Sequence, residues 1–310
     1  MIASKPDVSI VIVNKNDDRV RETVVALESY ETVLAVEIVV VDASRGRYRE
    51  FRANHPATVW IEYIQPPGKD RTIAQQRNLG VETGSGSIIV FLDSSCLPSV
   101  GWLEALVDTV VVGRESIVAG RVVSNSTSSL HDSDAPHDLD SDGYLSEFST
   151  NNVAIRRDVI EQVGTFDEEL GFAEDVDFAW RARSMGFKIK YQPNAVVSHD
   201  WGSAGSDFER AFRYGVARIR LYRKHPDRWR NLLGIDRPCL VYSLFLLGLP
   251  ITFIAPWYLL ALLIPLAMNR GHHPVARVGY HLVYAAGAIS EFFHLPITAA
   301  QRSTRTQRGA

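Results

Sequence analysis

Asp7 to Ser44 reads "DVSIVIVNKNDDRVRETVVALESYETVLAVEIVVVDAS". Two short apolar runs, VSIVIV and VEIVVV, end in the polar residues Asn14 and Asp42. Between them Val20, Val24, Ala26 and Leu27 recur at helical spacing. The stretch predicts strand, helix, strand, with strands apolar enough to be buried on both faces. The same pattern continues outward. "TVWIEYIQ" (58–65) predicts a third strand, and "TIAQQRNLGVETG" (72–84) a helix stopped by Gly84. "SIIVFLD" (87–93) predicts a fourth strand, and "GWLEALVDTVVV" (101–112) another helix. Alternating strands and helices imply an α/β fold with a parallel, doubly wound sheet. Ligands of such sheets bind outside the carboxyl ends of the strands. Asn14, Asp42 and Asp93 fall at those ends. No G-x-G-x-x-G or G-x-x-x-x-G-K-[ST] follows a strand, which excludes the usual dinucleotide and P-loop readings.

The chain has 310 residues and a net charge of −3. That small sum hides an asymmetry. Residues 1–205 carry 19 Lys+Arg against 31 Asp+Glu, a balance of −12, while residues 206–310 carry 14 against 5, a balance of +9. An acidic front and a basic back predict different surroundings for the two parts. Cys96 and Cys239 lie far apart without a C-x-x-C, which fits a reducing compartment rather than a disulfide framework or zinc site. The start lacks the long apolar core of a signal peptide. Ser124 to Tyr144, rich in Ser, Asp, Gly and Pro, reads as a solvated surface loop.

Leu240 to Met268 contains no Asp, Glu, Lys or Arg over 29 residues, more than the ~20 needed to cross a bilayer core. Pro250, Pro256 and Pro265 interrupt it, so it reads as a kinked span or a re-entrant hairpin. Val278 to Ile297 is a second, weaker apolar run holding His281 and Glu291. Glu209 to Arg237 precedes both. It crowds arginines among Phe212, Tyr214, Tyr222 and Trp229. A basic amphipathic segment beside apolar runs predicts an interfacial helix on anionic membrane lipid, with nucleic acid set aside as partner. The organisation expected is thus 1–205, a basic juxtamembrane segment 206–237, and a transmembrane region 238–310 crossing at about 239–268 and 278–297. The positive-inside rule places the front part in the cytoplasm, at the cell membrane.

Five stretches taken in order carry a resemblance: "VSIVIVNKN", "IVVVDAS", "AQQRNLGVETGSGSIIVFLD", "NNVAIRRDVIEQVGTFDEEL" and "FAEDVDFAWRARSMGFKIKYQPNAVVSH". Over about residues 7–200 the chain resembles the family 2 glycosyltransferases. The resemblance implies a GT-A-type doubly wound mixed sheet with helices on both faces. It also implies a nucleotide-sugar donor, UDP- or dTDP-linked, an inverting transfer, and a divalent cation, Mg or Mn. The membrane segments point to a lipid-linked or cell-envelope glycan acceptor. Inverting transfer to a hydroxyl needs a base for the acceptor and positive charge for the leaving diphosphate. Glu174, Asp175 and Asp177 cluster ahead of a helical stretch, where crowding raises carboxyl pKa values. They serve as a base cluster or as a helix N-cap with first-turn acids. The family pattern matches Asp175 to the base, with Glu174 beside it, and Arg181 to a residue that supports this acid. It matches Asp42 to the acid that contacts the nucleoside. Arg77 and Asn78 match its donor-side "RN", with Gln76 where alanine is common. Asn14 joins that donor set by its place at a strand end. Asn151 and Asn152 match the acceptor side, where Trp201 offers a stacking face. His199 matches a histidine that reaches the metal and diphosphate.

"VFLDSSCLP" (90–98) departs from the pattern. Asp93 holds the first position of the family's D-x-D, but Ser94 and Ser95 stand where carboxylates are usual. A serine adds no charge to a hard-cation site. Three readings stand: a cation held by the diphosphate, Asp93, His199 and waters; basic residues in place of the ion; or a non-catalytic scaffold that binds a nucleotide-sugar or glycan at the membrane. Cys96 reads as a buried filler.

Overall fold

A computed structural model describes residues 6–68, 73–125, 139–202, 204–268 and 273–294. The chain folds as two compact units, Met1–Trp201 and Gly202–Ala310. Residues 126–138, most of the serine- and aspartate-rich loop, lie outside the described residues, as do 295–297 at the end of the second apolar run.

In the first unit β1 (Val8–Asn14), α1 (Val20–Glu28) and β2 (Val36–Asp42) form where the sequence predicts them. They are followed by α2 (Arg49–Ala53), β3 (Val59–Glu62), α3 (Ile73–Thr83) and β4 (Ile88–Asp93). Next come β5 (Cys96–Pro98), α4 (Trp102–Val111), β6 (Ile117–Ser124), β7 (Tyr144–Leu145) and β8 (Asn152–Arg156). The unit closes with α5 (Arg157–Val163), α6 (Glu174–Ser184) and β9 (Ile189–His199). The strand order is β3-β2-β1-β4-β8-β6-β9-β5, with β7 beside β9. The first four strands are parallel, whereas β8 runs antiparallel to both β4 and β6. The sheet is therefore mixed, as a GT-A-type sheet is, and its parallel half is the half with regular strand–helix alternation.

The register explains why these strands read as continuous apolar runs. Ile10, Ile12, Val90 and Leu92 face one core, packed by α1 and α4 through Val24, Leu27, Trp102 and Leu106. Val11, Ile89 and Phe91 face the other, packed by α3, α5 and α6 through Val81, Ile160 and Phe178. Each such side chain, fully buried, contributes about 1.5–3 kcal/mol. A Cβ at Gly80 would collide with the side chain of Val11, so α3 lies directly on β1. The same register brings the site residues level: Asn14 pairs with Asp42, and Val13 with Asp93.

The second unit corrects the transmembrane expectation. It contains α7 (Ala204–Lys224), a 3₁₀ segment Pro226–Leu233, and α8 (Arg237–Leu247). Two further 3₁₀ segments, Leu249–Phe253 and Pro256–Leu262, lead to α9 (Leu263–Met268) and α10 (Pro274–Phe292). Among the described residues no helix is long and apolar enough to cross a membrane. The cause lies in the prolines. Pro250 and Pro256 each open a short 3₁₀ segment, because proline lacks the N–H that would continue the preceding helix. Of the two sequence readings of the 29-residue run, the kinked span is the one that the short elements do not support. In α10, Arg277 and Glu291 dilute the apolar stretch, and Glu291 receives Arg220 at 3.0 Å and Arg223 at 2.9 Å. Helices α7 and α10 meet at Gly215 and Gly287, where a Cβ would strike the backbone of Tyr284 and Phe212.

Candidate active site

Four consecutive polar residues of α3, Gln75 to Asn78, are all buried. Burying polar groups is costly unless each is hydrogen-bonded, and these side chains reach different neighbours. Gln76 Nε2 donates to the carbonyls of Asn14 and Val41, both at 2.9 Å, and so holds the ends of β1 and β2. Asn78 is pinned to the chain at Phe166, donating to its carbonyl at 3.0 Å and accepting from its N–H at 2.9 Å. Gln75 Nε2 donates to the Glu168 carbonyl at 3.1 Å. Arg77 reaches the carboxylates: it donates to Glu174 Oε1, and its other guanidinium nitrogen stands 3.8 Å from Asp93 Oδ1. Arg77 and Glu174 are both almost fully buried, not an exposed arginine and a free acid.

At the ends of β1 and β2, Asp42 accepts from Asn14 Nδ2 at 3.0 Å, Ser44 Oγ at 2.5 Å and the Ser44 N–H at 3.2 Å. Burial pushes the Asp42 carboxyl up, and these bonds pull against it without cancelling it. The Asn14 side-chain oxygen is buried without a hydrogen-bond partner, so this end keeps an acceptor in reserve.

At the end of β4, Asp93 Oδ2 lies 3.4 Å from His199 Nε2, which also meets Ser95 Oγ at 3.3 Å. Burial pushes the Asp93 carboxyl up. The His199 hydrogen bond and the charges of His199, Arg77 and Arg19 outweigh it, and the net pKa is lowered. His199 is 5% exposed and its Nδ1 is an orphan. Trp201 stacks on its ring at 3.9 Å and 24°, so Trp201 is a wall of this corner. The sequence reading missed Arg19. It is chelated by Asp17 at 2.8 and 2.7 Å and paired with Asp200 at 3.0 Å, tying the loop after β1 to the end of β9. Ser94 leans on the same Asp17 at 3.4 Å. Spacing gives no hint of this bridge, because its members lie 181 positions apart.

The base candidate sits at the start of α6. Ala173 holds a left-handed conformation, φ 61°, just before it. This costs an L-residue about 1–2 kcal/mol and turns the first residues of the helix into the site. Asp175 is half-buried and accepts only backbone N–H groups, Val176 at 2.9 Å and Thr150 at 3.3 Å. Burial raises its pKa, with a contribution from Glu147; Arg77 and the two N–H groups oppose it, and the net shift is upward. Asp177 is instead fully buried on Arg181 at 2.9 Å, and Arg181 also donates to the carbonyls of Val163 and Thr165. Asp177 and Arg181 are a brace for α6. Asn151 is buried beside Thr150. Asn152 is a strut: its amide accepts from Trp102 at 2.8 Å and donates to the carbonyls of Arg121 and Ala195, both at 2.9 Å.

Among the described residues no three His, Cys, Asp or Glu side chains converge on a point that could hold a metal. One ionised carboxylate and one imidazole do converge, at Asp93 and His199. That donor pair fits a hard cation that takes the rest of its shell from a diphosphate and water, as Mg²⁺-type ions do.

A mixed α/β sheet thus carries acids at its strand ends and a half-buried carboxylate at the start of α6. Residues 6–216 match the model of the glycosyltransferase like family 2, and the chain belongs to that family. It is 28% identical to the pre-mycofactocin glycosyltransferase of Mycobacterium tuberculosis over 79% of this chain and 54% of that protein. It is 29% identical to the glycosyltransferase AglE of Haloferax volcanii over 47% of this chain and 50% of that one. The chain thus spans about half the length of these relatives. In fold it is similar to a mannosyltransferase of Pyrobaculum calidifontis solved with GDP-Man and Mn²⁺. The TM-score is 0.70 at 17% identity, covering 95% of this chain and 89% of that one. It is also similar to GalNAc-T7 solved with UDP, GalNAc and Mn²⁺, with a TM-score of 0.55 at 16% identity, covering 73% and 52%.

Proposed function

We propose that the chain is an inverting glycosyltransferase that moves a sugar from a nucleoside-diphosphate donor to an acceptor hydroxyl, with Asp175 as general base. The observation that carries this is the environment of Asp175: half-buried, raised in pKa and held only by backbone N–H groups. An upward shift makes a carboxylate a better proton acceptor. Asp175 takes the acceptor proton, the acceptor oxygen attacks the anomeric carbon, and the bond to the diphosphate oxygen breaks with its electron pair on the diphosphate. Asp42 and the free lone pairs of Asn14 meet the nucleoside. Asp93 is ionised and would repel a bare diphosphate, so a positive counter-charge is required there. Asp93 and His199 would hold a divalent cation, which would supply positive charge to the leaving diphosphate. The solved neighbours, one with GDP-Man and Mn²⁺ and one with UDP, GalNAc and Mn²⁺, support this choice. The acceptor is a lipid-linked or cell-envelope glycan, used at the cytoplasmic face of the membrane. The basic balance of residues 206–310 supports that location.

A second reading, a membrane scaffold that binds a nucleotide-sugar without turnover, is favoured by the serines at 94 and 95. One experiment separates the two. UDP, dTDP and GDP are titrated calorimetrically into the protein with Mn²⁺ and with EDTA, and the sugar donor of the nucleotide that binds is then followed for transfer or hydrolysis. Cation-dependent binding with turnover that disappears in Asp175→Asn supports the enzyme. Binding without turnover in either protein leaves the scaffold.

A further inference from the structure

Exposed large apolar side chains crowd residues 244–268. Phe253 is 92% exposed, Ile254 86% and Trp257 69%; Leu260, Leu263 and Ile264 are each more than half exposed. A protein interface needs one apolar face. Here neighbours along the chain, Phe253 with Ile254 and Leu263 with Ile264, are exposed together, so apolar side chains point to several sides of the same short segments. A helix that is apolar all round suits an apolar solvent.

The polar side chains of the segment bond to its own backbone. Thr252 Oγ1 donates to the carbonyl of Leu249 at 2.7 Å, and Tyr258 Oη to that of Phe245 at 3.0 Å. Backbone bonds run Ile251 to Gly248, Ile254 to Ile251 and Tyr258 to Ala255, each at 2.9 Å. Pro250, Pro256 and Pro265 have no N–H to satisfy. Water does not demand such closure, but hydrocarbon does. Exposed arginines, Arg230 and Arg237, precede the segment in the chain. Their charge complements anionic headgroups.

We infer that Leu244–Met268 is a wedge that seats in one leaflet of an anionic membrane without crossing it. The inference rests on the membrane location proposed above and adds the depth, the residues and the lipid chemistry. Association with a second copy of the chain is the competing occupant.

The test uses the full chain and vesicles of phosphatidylcholine, alone or with about one quarter phosphatidylglycerol. The chain is expected to float with the vesicles and to prefer the anionic ones. Trp257 fluorescence is expected to be quenched more by a label near the headgroups than by one at the bilayer centre, with Trp257→Phe as the spectral control. The double variant Phe253→Glu/Trp257→Glu is expected to lose vesicle binding by about tenfold or more, since two apolar anchors become charged. Both side chains are exposed, so its fold and nucleotide affinity stay unchanged. Several outcomes would overturn the inference: a chain that stays in the aqueous layer, a double variant that floats equally well, or stronger quenching from the bilayer centre. A dimer in vesicle-free sedimentation that the double variant dissolves would assign the surface to a second copy. Nucleotide titration reads the transferase proposal separately, so either proposal can fail alone.

Discussion

Two aspartates that both feel the charge of Arg77, Asp93 at the end of β4 and Asp175 at the start of α6, are tuned in opposite directions. Burial raises both. Asp93 meets His199, Arg77 and Arg19, and cations win. Asp175 meets two backbone N–H groups and a more distant Arg77, and burial wins. A permanently charged acid suits a site for a cation and diphosphate, whereas an acid that can accept a proton suits a base. Environments that push like groups apart are how one site divides its labour. Arg77 stands in both environments, which makes it the residue through which the contrast can be broken.

The largest effect is expected from Asp175→Asn. Turnover should fall by about 10²–10⁴-fold, while nucleotide affinity by calorimetry stays within about twofold, because the base does not hold the donor. Equal losses in both would erase the division between the two acids. Next is Arg77→Gln. It strands Glu174 without its partner in a buried site, which costs about 3–5 kcal/mol in urea denaturation. It also removes a cation that lowers both aspartates. The acid limb of the pH–rate profile should therefore move to higher pH. A smaller effect is expected from Ser95→Asp, which places a second carboxylate beside Asp93 and His199. Mn²⁺ affinity in the presence of nucleoside diphosphate should rise by about tenfold.

The smallest effect sharpens the contrast through stability. The folded pKa of Asp93 lies below its ordinary value of 3.8. Its stabilisation is present above that value and is lost as pH falls through the folded pKa. The folded pKa of Asp175 lies above 3.8. Its relative stabilisation is present below that value and is lost as pH rises through the folded pKa. Asp93→Asn should thus lower the urea midpoint at pH 7 more than near pH 3, and Asp175→Asn should raise it at pH 7 with little change near pH 3. Parallel responses would show that the two acids share one environment.

The parallel half of the sheet was legible because its strands are apolar runs separated by helical spacing, and local pattern sets both. The antiparallel half was not. β5 has three residues and β7 two, too short for any periodicity to register. Asp42, Asp93 and Asp175 could be placed from strand ends and motif order. Their partners could not: Arg77 and Glu174 meet across 97 positions, and Arg19 reaches Asp200 across 181. The spanning reading of the apolar run 240–268 fails for a different reason. Hydropathy reports which solvent a segment prefers, not whether its backbone continues as one helix, and Pro250 and Pro256 decided the second question.

Helix α3 has a consequence for how this chain can vary. Its four successive buried side chains, Gln75 to Asn78, bond to the ends of β1 and β2, to the neighbouring acids and to the segment around Phe166. Each residue of an α-helix is rotated by about 100° from the last. Inserting or deleting a single residue just after Asn78 would turn all four relative to the rest of the helix at once, with no graded intermediate. Helix α3 therefore behaves as an indexed part whose register sets all of these contacts together.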